Sequence, residues 1–184
     1  MRVVAGTLRG RRLVAPAGRE TRPSSDRLRE SLFAALGDVR DEVVLDLFAG
    51  SGALGIEALS RGAASCVFCD AAAAAVATVR ANLGELGLGH AARIVRGDAA
   101  RLLEDEDARS ARYDLVLVDP PYAILETVAA TLDRLLPALV PVGGRLVIES
   151  ASGTEPGCAG FDVDSRRRVG AATLTILTRS EAPA

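Results

Sequence analysis

The chain has 184 residues, of which 49% are hydrophobic and 25% charged, and its formal net charge is −2. These values are typical of one soluble globular domain, or of one domain with a small appendage. The apolar runs are far shorter than the roughly 18 residues of a membrane span, and the start does not resemble a signal peptide, so we expect a cytoplasmic protein without membrane contact. The three cysteines indicate no disulfide framework, and we interpret Cys66 and Cys69 as buried apolar residues that bind no metal.

The charge is distributed unevenly along the chain. Residues 1–40 contain nine arginines and four acidic residues, a net charge of +5, and residues 41–184 have a net charge of −7. A basic arm on an acidic body is the pattern expected when one end of a protein binds a polyanion. We therefore predict a division between a polyanion-binding extension, residues 1–40, and a main domain, residues 41–184.

The first 37 residues predict a small hairpin followed by a helix. Short β-rich pieces flank the turn-prone residues 6–10, and this hairpin carries Arg9, Arg11 and Arg12. A helix with capping residues at 24–26 follows, has apolar residues at helical spacing, and ends at Gly37. The candidate phosphate-binding residues are six arginines of this region, with residues 166–168 as a second set: Arg9, Arg11, Arg12, Arg22, Arg27 and Arg29.

From residue 43 onward, apolar strands alternate with helical stretches, which predicts βαβ units and a parallel sheet. The acidic run at 104–107 is interpreted as a solvated turn. After the fifth strand the pattern changes to two extended segments separated by three arginines, which predicts a closing antiparallel hairpin. The predicted strands are residues 43–48, 66–69, 93–96, 115–118, 145–148, 161–163 and 169–178.

The turn after the first strand points to a nucleotide ligand. Residues 50–55 read Gly-Ser-Gly-Ala-Leu-Gly, and Asp70 follows Gly50 by 20 residues, which is compatible with a dinucleotide. However, Asp46 ends the strand and Phe48 precedes the turn, and a carboxylate there would repel a pyrophosphate. Since Asp46 suits a cationic ligand, the pattern favours S-adenosylmethionine over a dinucleotide. Gly50 and Gly52 have no Cβ and allow close approach of the backbone.

Two further strand ends carry chemistry. Asp98, after the third strand, is suited to accept a hydrogen bond from an adenine amino group. Residues 119–122 read Asp-Pro-Pro-Tyr, and their two prolines force the backbone out of the sheet. The Asp119 carboxylate and the Pro120 carbonyl can each accept one N–H of an exocyclic amine, while Tyr122 can stack on the ring that bears it. This arrangement suits methyl transfer to nitrogen by positioning and electrostatics.

The sequence resembles the class I S-adenosylmethionine-dependent methyltransferases, and more closely their RsmD family, over essentially the whole chain. The segments at 45–63 and 114–122 are shared with many methyltransferases, whereas those at 3–13 and 22–33 narrow the family. The resemblance implies a Rossmann-like α/β fold with a seven-stranded sheet, and residues 119–122 as a clamp for the target base. It also implies that S-adenosylmethionine is bound by Gly50, Ser51, Gly52, Asp70 and Asp98.

The resemblance further implies methylation of a guanine N2 in 16S rRNA, within a small-subunit assembly particle, and we expect a monomer. The base must be unstacked to reach the pocket, at a cost of a few kcal/mol that arginine contacts to phosphates offset. Three alternatives remain open at this point. Residues 119–122 would also serve an adenine N6 or a glutamine amide, although the basic arm disfavours a protein substrate, and a non-catalytic RNA-binding assembly factor would keep the same fold.

Overall fold

A seven-stranded sheet is the centre of the computed structural model, which describes residues 1–15 and 24–181. A single 3₁₀ turn, Gly89–Ala91, precedes the third strand. The elements in chain order are α1 (Ser24–Leu36), β1 (Val43–Asp46), α2 (Ala53–Ser60), β2 (Ser65–Asp70), α3 (Ala73–Leu86), β3 (Ala92–Arg96), α4 (Ala99–Ala108), β4 (Leu115–Val118), α5 (Tyr122–Leu139), β5 (Arg145–Ala151), β6 (Phe161–Val169) and β7 (Ala172–Arg179).

The strand order is β3-β2-β1-β4-β5-β7-β6, and the first five strands of this order are parallel. The antiparallel strand β7 lies between β5 and β6. From β1 the sheet extends first through β2 and β3 on one side and then through β4 and β5 on the other, so its topological switch point lies between β1 and β4. Open α/β sheets bind ligands in the crevice beyond the carboxyl ends of the strands at this point. The predicted Rossmann-like fold with a closing antiparallel hairpin is confirmed.

The parallel strands are apolar on both faces because helices cover both. Along β4, Leu115 and Leu117 pack with the α1, α2 and α3 layer, whereas Val116 and Val118 pack with α4 and α5. This alternation is the period of two expected of a strand. The sheet is therefore the middle of three layers, and helices pack on both faces of the parallel strands that lead to the crevice.

The N-terminal hairpin is confirmed as a short antiparallel contact, with one bridge between Arg2 and Arg12. It does not stand apart from the body. Val3 and Leu13 lie in the same hydrophobic cluster as α1, α2 and α3. The backbone N–H groups of Val4 and Ala5 donate to the carboxylate of Glu57 in α2, at 2.7 and 2.9 Å. Residues 1–40 and the rest of the chain thus share one core, and their functional division stays a prediction.

Two local predictions are wrong. The acidic run at 104–107 is part of α4 and not a turn, and Glu106 is buried because Tyr113 and Arg93 satisfy its carboxylate. The arginines at 166–168 do not separate two strands, since they lie inside the continuous strand β6, and the turn to β7 comes after Val169. In both cases a run of like charges lies inside a helix or strand that has exposed positions.

Cys66 and Cys69 are buried as predicted, on opposite faces of β2. Within residues 1–15 and 24–181, no three side chains of the metal-binding types converge on one point. None of the helices in that part of the chain is long and apolar enough to cross a membrane.

Candidate active site

Asp46 is the last residue of β1 and lies inside the crevice with only 1% of its surface exposed. Its Oδ2 accepts a hydrogen bond from the backbone N–H of Gly55 at 3.1 Å. Its Oδ1 is buried and has no hydrogen-bond partner within the described residues. A buried carboxylate oxygen without a donor is costly for the free protein, and such an oxygen marks a position for a cationic or N–H-bearing ligand.

The pKa of Asp46 is raised from an ordinary value of 3.8 to about 7. Burial is the main cause, the hydrogen bond from Gly55 acts in the opposite direction, and the negative charges of Asp119 and Asp70 add to the increase. Asp119 and Asp70 therefore each lie within electrostatic range of Asp46. Their combined field favours a positively charged ligand and opposes a pyrophosphate, which supports the choice made from the sequence.

This pKa leads to a prediction about stability. Because the pKa in the folded protein is above that of the unfolded chain, the folded protein holds an extra proton between the two values. Asp46 thus stabilises the ligand-free fold below pH 4, and this contribution is lost as the pH rises to about 7. We expect the stability of the wild type relative to Asp46→Asn to fall by roughly 2–4 kcal/mol between pH 4 and pH 8 in urea unfolding. An unchanged difference would contradict the prediction.

The glycine turn that follows β1 is shaped by contacts that need glycine. Gly52 has φ +78° where it precedes α2, a conformation that L-residues adopt only under strain. A Cβ on Gly55 would lie 2.4 Å from the ring of Phe68 and 2.6 Å from the sulfur of Cys66, so this glycine lets α2 pack directly on β2. Phe48 is partly buried against the α4 and α5 layer.

Asn82 was not predicted as a site residue, yet it fixes the glycine turn. It is 2% exposed in α3, and its Nδ2 donates to the backbone oxygens of Ser51, at 2.9 Å, and Val14, at 3.0 Å. Its Oδ1 accepts from the N–H of Val14. One amide therefore joins the N-terminal segment to the turn. The sequence signal was a lone polar residue at the apolar spacing of α3, three positions after Val79.

Asp70 and Asp98 lie where they were predicted, at the ends of β2 and β3, and both also have structural tasks. Asp70 accepts from the N–H of Gly50 at 2.9 Å through Oδ2 and from Ala72 through Oδ1. Asp98 caps α4, and both capping donations go to Oδ1. Each carboxylate oxygen has more than one lone pair, so these bonds orient the groups without exhausting their capacity to accept from a ligand.

Residues 119–122 leave the sheet beside Asp46, as the sequence indicates. Leu117 in β4 is paired with Asp46, so Asp119 lies two residues further towards the crevice. Asp119 is half-buried and Pro120 is buried. Tyr122 is the first residue of α5 rather than part of the preceding loop. Asp46, the last residue of β1, and Asp119, the residue after β4, thus lie at the ends of neighbouring strands at the switch point of the sheet.

The predicted arginine set is divided by the fold. Arg9, Arg11, Arg12 and Arg27 are exposed, and Arg22 lies outside the described residues. The prediction that Arg29 lies on the exposed side of α1 is wrong. It is 2% exposed, and its guanidinium donates to the Arg2 carbonyl and to Asp26, because the hairpin covers this face of the helix. Arg29 is therefore not available for phosphate contacts.

Known proteins resemble the chain along most of its length. The family model described as "Conserved hypothetical protein 95" matches residues 1–178. The chain is 46% identical over 123 residues to "Putative rRNA methyltransferase YlbH" of Bacillus subtilis and 41% identical over 123 residues to "Ribosomal RNA small subunit methyltransferase D" of Escherichia coli K12. Each match covers 66% of this chain, but only 67% and 60% of the respective relatives. The solved structure of a hypothetical protein from Thermus thermophilus superposes with a TM-score of 0.80 at 32% identity, covering 97% of this chain and 99% of the other.

Proposed function

The chain belongs to the RsmD family of methyltransferases, and from this premise we propose that it transfers a methyl group from S-adenosylmethionine to the exocyclic N2 of a guanine in 16S rRNA. The observation that carries the proposal is the buried carboxylate of Asp46, with an unpartnered oxygen, beside the acceptors at residues 119–122. Two relatives that are named as rRNA methyltransferases support the substrate class.

The residues of the crevice fit S-adenosylmethionine, which supplies an electrophilic methyl group on a cationic sulfur. Asp46 and Asp70 provide negative charge for its cationic end. Gly50, Ser51 and Gly52 provide a backbone surface without projecting Cβ atoms at the two glycines. Asp98, exposed at the end of β3, provides an acceptor for the adenine amino group. Phe48 provides an apolar contact at the start of the turn.

The acceptor side of the site acts on the amine of the target base. Asp119 and the Pro120 carbonyl each accept one N–H, which directs the nitrogen lone pair towards the methyl carbon. Asp119 would also take up the surplus proton of the amine after the nitrogen has received the methyl group. Tyr122 offers a ring for stacking on the unstacked base. We further propose that the chain works as a monomer in the cytoplasm, on a small-subunit particle.

Calorimetry tests the cofactor assignment directly. Because a cationic ligand favours the ionised form of Asp46, its binding lowers the pKa of this residue from about 7 and releases its proton. At pH 7 we expect the wild type to release about half a proton more than Asp46→Asn on binding S-adenosylmethionine, measured in two buffers of different ionisation enthalpy. Absence of binding by the wild type would refute the enzyme assignment, and equal proton release would refute the role of Asp46.

A further inference from the structure

The sheet order limits where RNA can lie. The proposed cofactor residues occupy the ends of β3, β2 and β1, and the acceptor residues follow β4. Beyond β4, the sheet continues through β5, β7 and β6, and their ends complete the side of the sheet on which the parallel strands have their carboxyl ends. An RNA that delivers a base to Asp119 therefore has the β5-β7-β6 half of this side next to it.

Three arginines lie on that half at the level of the acceptor residues. Val118 pairs with Ile148, Ile148 with Thr175, and Thr175 with Arg166, so one row across the sheet joins the end of β4 to β6. The next two positions of β6, Arg167 and Arg168, are therefore level with residues 119 and 120. Three strand spacings of about 4.8 Å separate β6 from β4, which is roughly 14 Å.

The side chains of these three arginines are divided between the two faces of β6, the outermost strand of the sheet. Arg167 pairs with Leu174, which faces the α1 layer, whereas Arg166 and Arg168 pair with Thr175 and Thr173 on the opposite face. All three arginines are exposed. Within the described part of the chain, none of them forms an ion pair with a carboxylate.

Helix α1 adds a fourth arginine at this edge. The N-terminal half of α1 lies near the glycine turn, since Arg29, in its second turn, and Ser51 both contact the sulfur of Met1. At the other end, the Leu36 carbonyl accepts from Arg145 at the start of β5, and α1 packs against β6. Arg27, two residues before Arg29, is exposed and is likewise without an ion pair among the described residues.

The tip of the N-terminal hairpin, by contrast, lies towards the amino ends of the parallel strands, away from the crevice. The N–H groups of Thr7 and Leu8 donate to Ser60, the last residue of α2. Since α2 starts at the glycine turn and has eight residues, this tip is about 12 Å from the crevice. Arg11 is bound there by the Glu85 carbonyl near the end of α3.

We propose that Arg27, Arg166, Arg167 and Arg168, here called the β6 surface, hold RNA phosphates next to the active site and provide most of the electrostatic affinity for RNA. This inference rests on the proposed function for its RNA substrate. The alternative task for charges on an edge strand is protection against edge-to-edge association. Phosphate binding differs from it because each contact releases counterions and makes affinity depend on salt.

The test measures equilibrium binding of small-subunit particles, taken from cells that lack this protein, at several salt concentrations. We expect Arg166→Gln/Arg167→Gln/Arg168→Gln to raise the particle Kd at least about tenfold and to make the salt slope shallower by about 2. The matched control, Arg80→Gln/Arg112→Gln/Arg134→Gln, removes the same charge from exposed positions outside α1 and β6 and should change Kd by less than about twofold. Calorimetric affinity for S-adenosylmethionine verifies that each variant is folded.

Four outcomes overturn the β6 surface. If the Arg166→Gln/Arg167→Gln/Arg168→Gln variant bound particles with wild-type affinity, whether or not it aggregated, protection of the edge strand would be the remaining role of these arginines. An equal loss in the matched control would show an effect of net charge alone, and a larger loss in Arg9→Gln/Arg11→Gln/Arg12→Gln would move the binding surface to the hairpin. If the wild type did not bind particles, the assignment of RNA binding to the β6 surface would be refuted. If the wild type binds through β6 but transfers no methyl group, the surface stands and the proposed function fails.

Discussion

Asp119→Ala is expected to lower methyl-transfer turnover at least roughly a hundredfold while S-adenosylmethionine affinity stays within about threefold of the wild type. The reason is that the acceptor of the amine proton is removed, whereas the glycine turn, Asp70 and Asp98 keep their positions. Single-turnover transfer to particles gives the rate, and calorimetry gives the affinity. Asp119→Asn retains one acceptor oxygen and should lose less activity than the alanine variant.

The control for this variant is Asp107→Ala, an exposed aspartate of α4 far from the crevice. It should retain wild-type turnover and affinity. Asp119 also contributes to the raised pKa of Asp46, so Asp119→Ala should lower the pKa of Asp46. Equal losses of turnover and cofactor affinity would show that Asp119 is a structural residue and would contradict its catalytic assignment.

Glu57→Ala is expected to destabilise the fold by about 3 kcal/mol or more. Glu57 is fully buried in α2. Its carboxylate accepts the N–H groups of Val4 and Ala5 and pairs with Arg61 at 2.9 Å. Removing it leaves two backbone donors and one arginine without their acceptor. The midpoint of urea unfolding measures the loss, and Glu85→Ala, at an exposed position of α3, should change stability by less than about 0.5 kcal/mol.

A Glu57→Ala variant as stable as its control would mean that the hairpin is attached to the body by other contacts alone. The packing has a practical consequence for RNA studies. Deletion of the hairpin would remove Val3 and Leu13 from the core and leave the Glu57 carboxylate without its backbone donors. Point variants of exposed arginines therefore separate RNA binding from stability, and a truncation does not.

Local sequence was sufficient to predict the two strand exits that carry the proposed site. The apolar residues of β4 are followed by Asp119 and two prolines, and glycines follow β1, so local sequence alone predicts both strand exits. Asp46 and Asp119 were brought together by the rule that parallel strands end at one edge. What sequence could not give was the pKa of Asp46, because burial and the neighbouring charges depend on the packing of α2 against β2.

Two of the wrong predictions, those for Arg29 and for the acidic run at 104–107, share one physical cause. Arg29 precedes the buried Leu32 and Phe33 by three and four positions, so it lies on the buried face of α1, and the hairpin packed across this face supplies partners for its guanidinium. Glu106 belongs to an acidic run that reads as solvated, yet Tyr113, just before β4, and Arg93, in β3, approach it. A local pattern reports the preferred periodicity of a segment, but it does not report what packs on its far side. Asn82 was missed for the same reason, since its partners are 31 and 68 residues away in sequence.

Mapping the methylated nucleotide tests the central claim most directly. Small-subunit particles from cells lacking this protein are incubated with the purified protein and S-adenosylmethionine that carries a deuterated methyl group, and the digested RNA is analysed by mass spectrometry. We predict one labelled N2-methylguanosine, at a single position of 16S rRNA, and no label with Asp119→Ala. Label on an adenine or on a ribosomal protein, or unlabelled particles, would contradict the account.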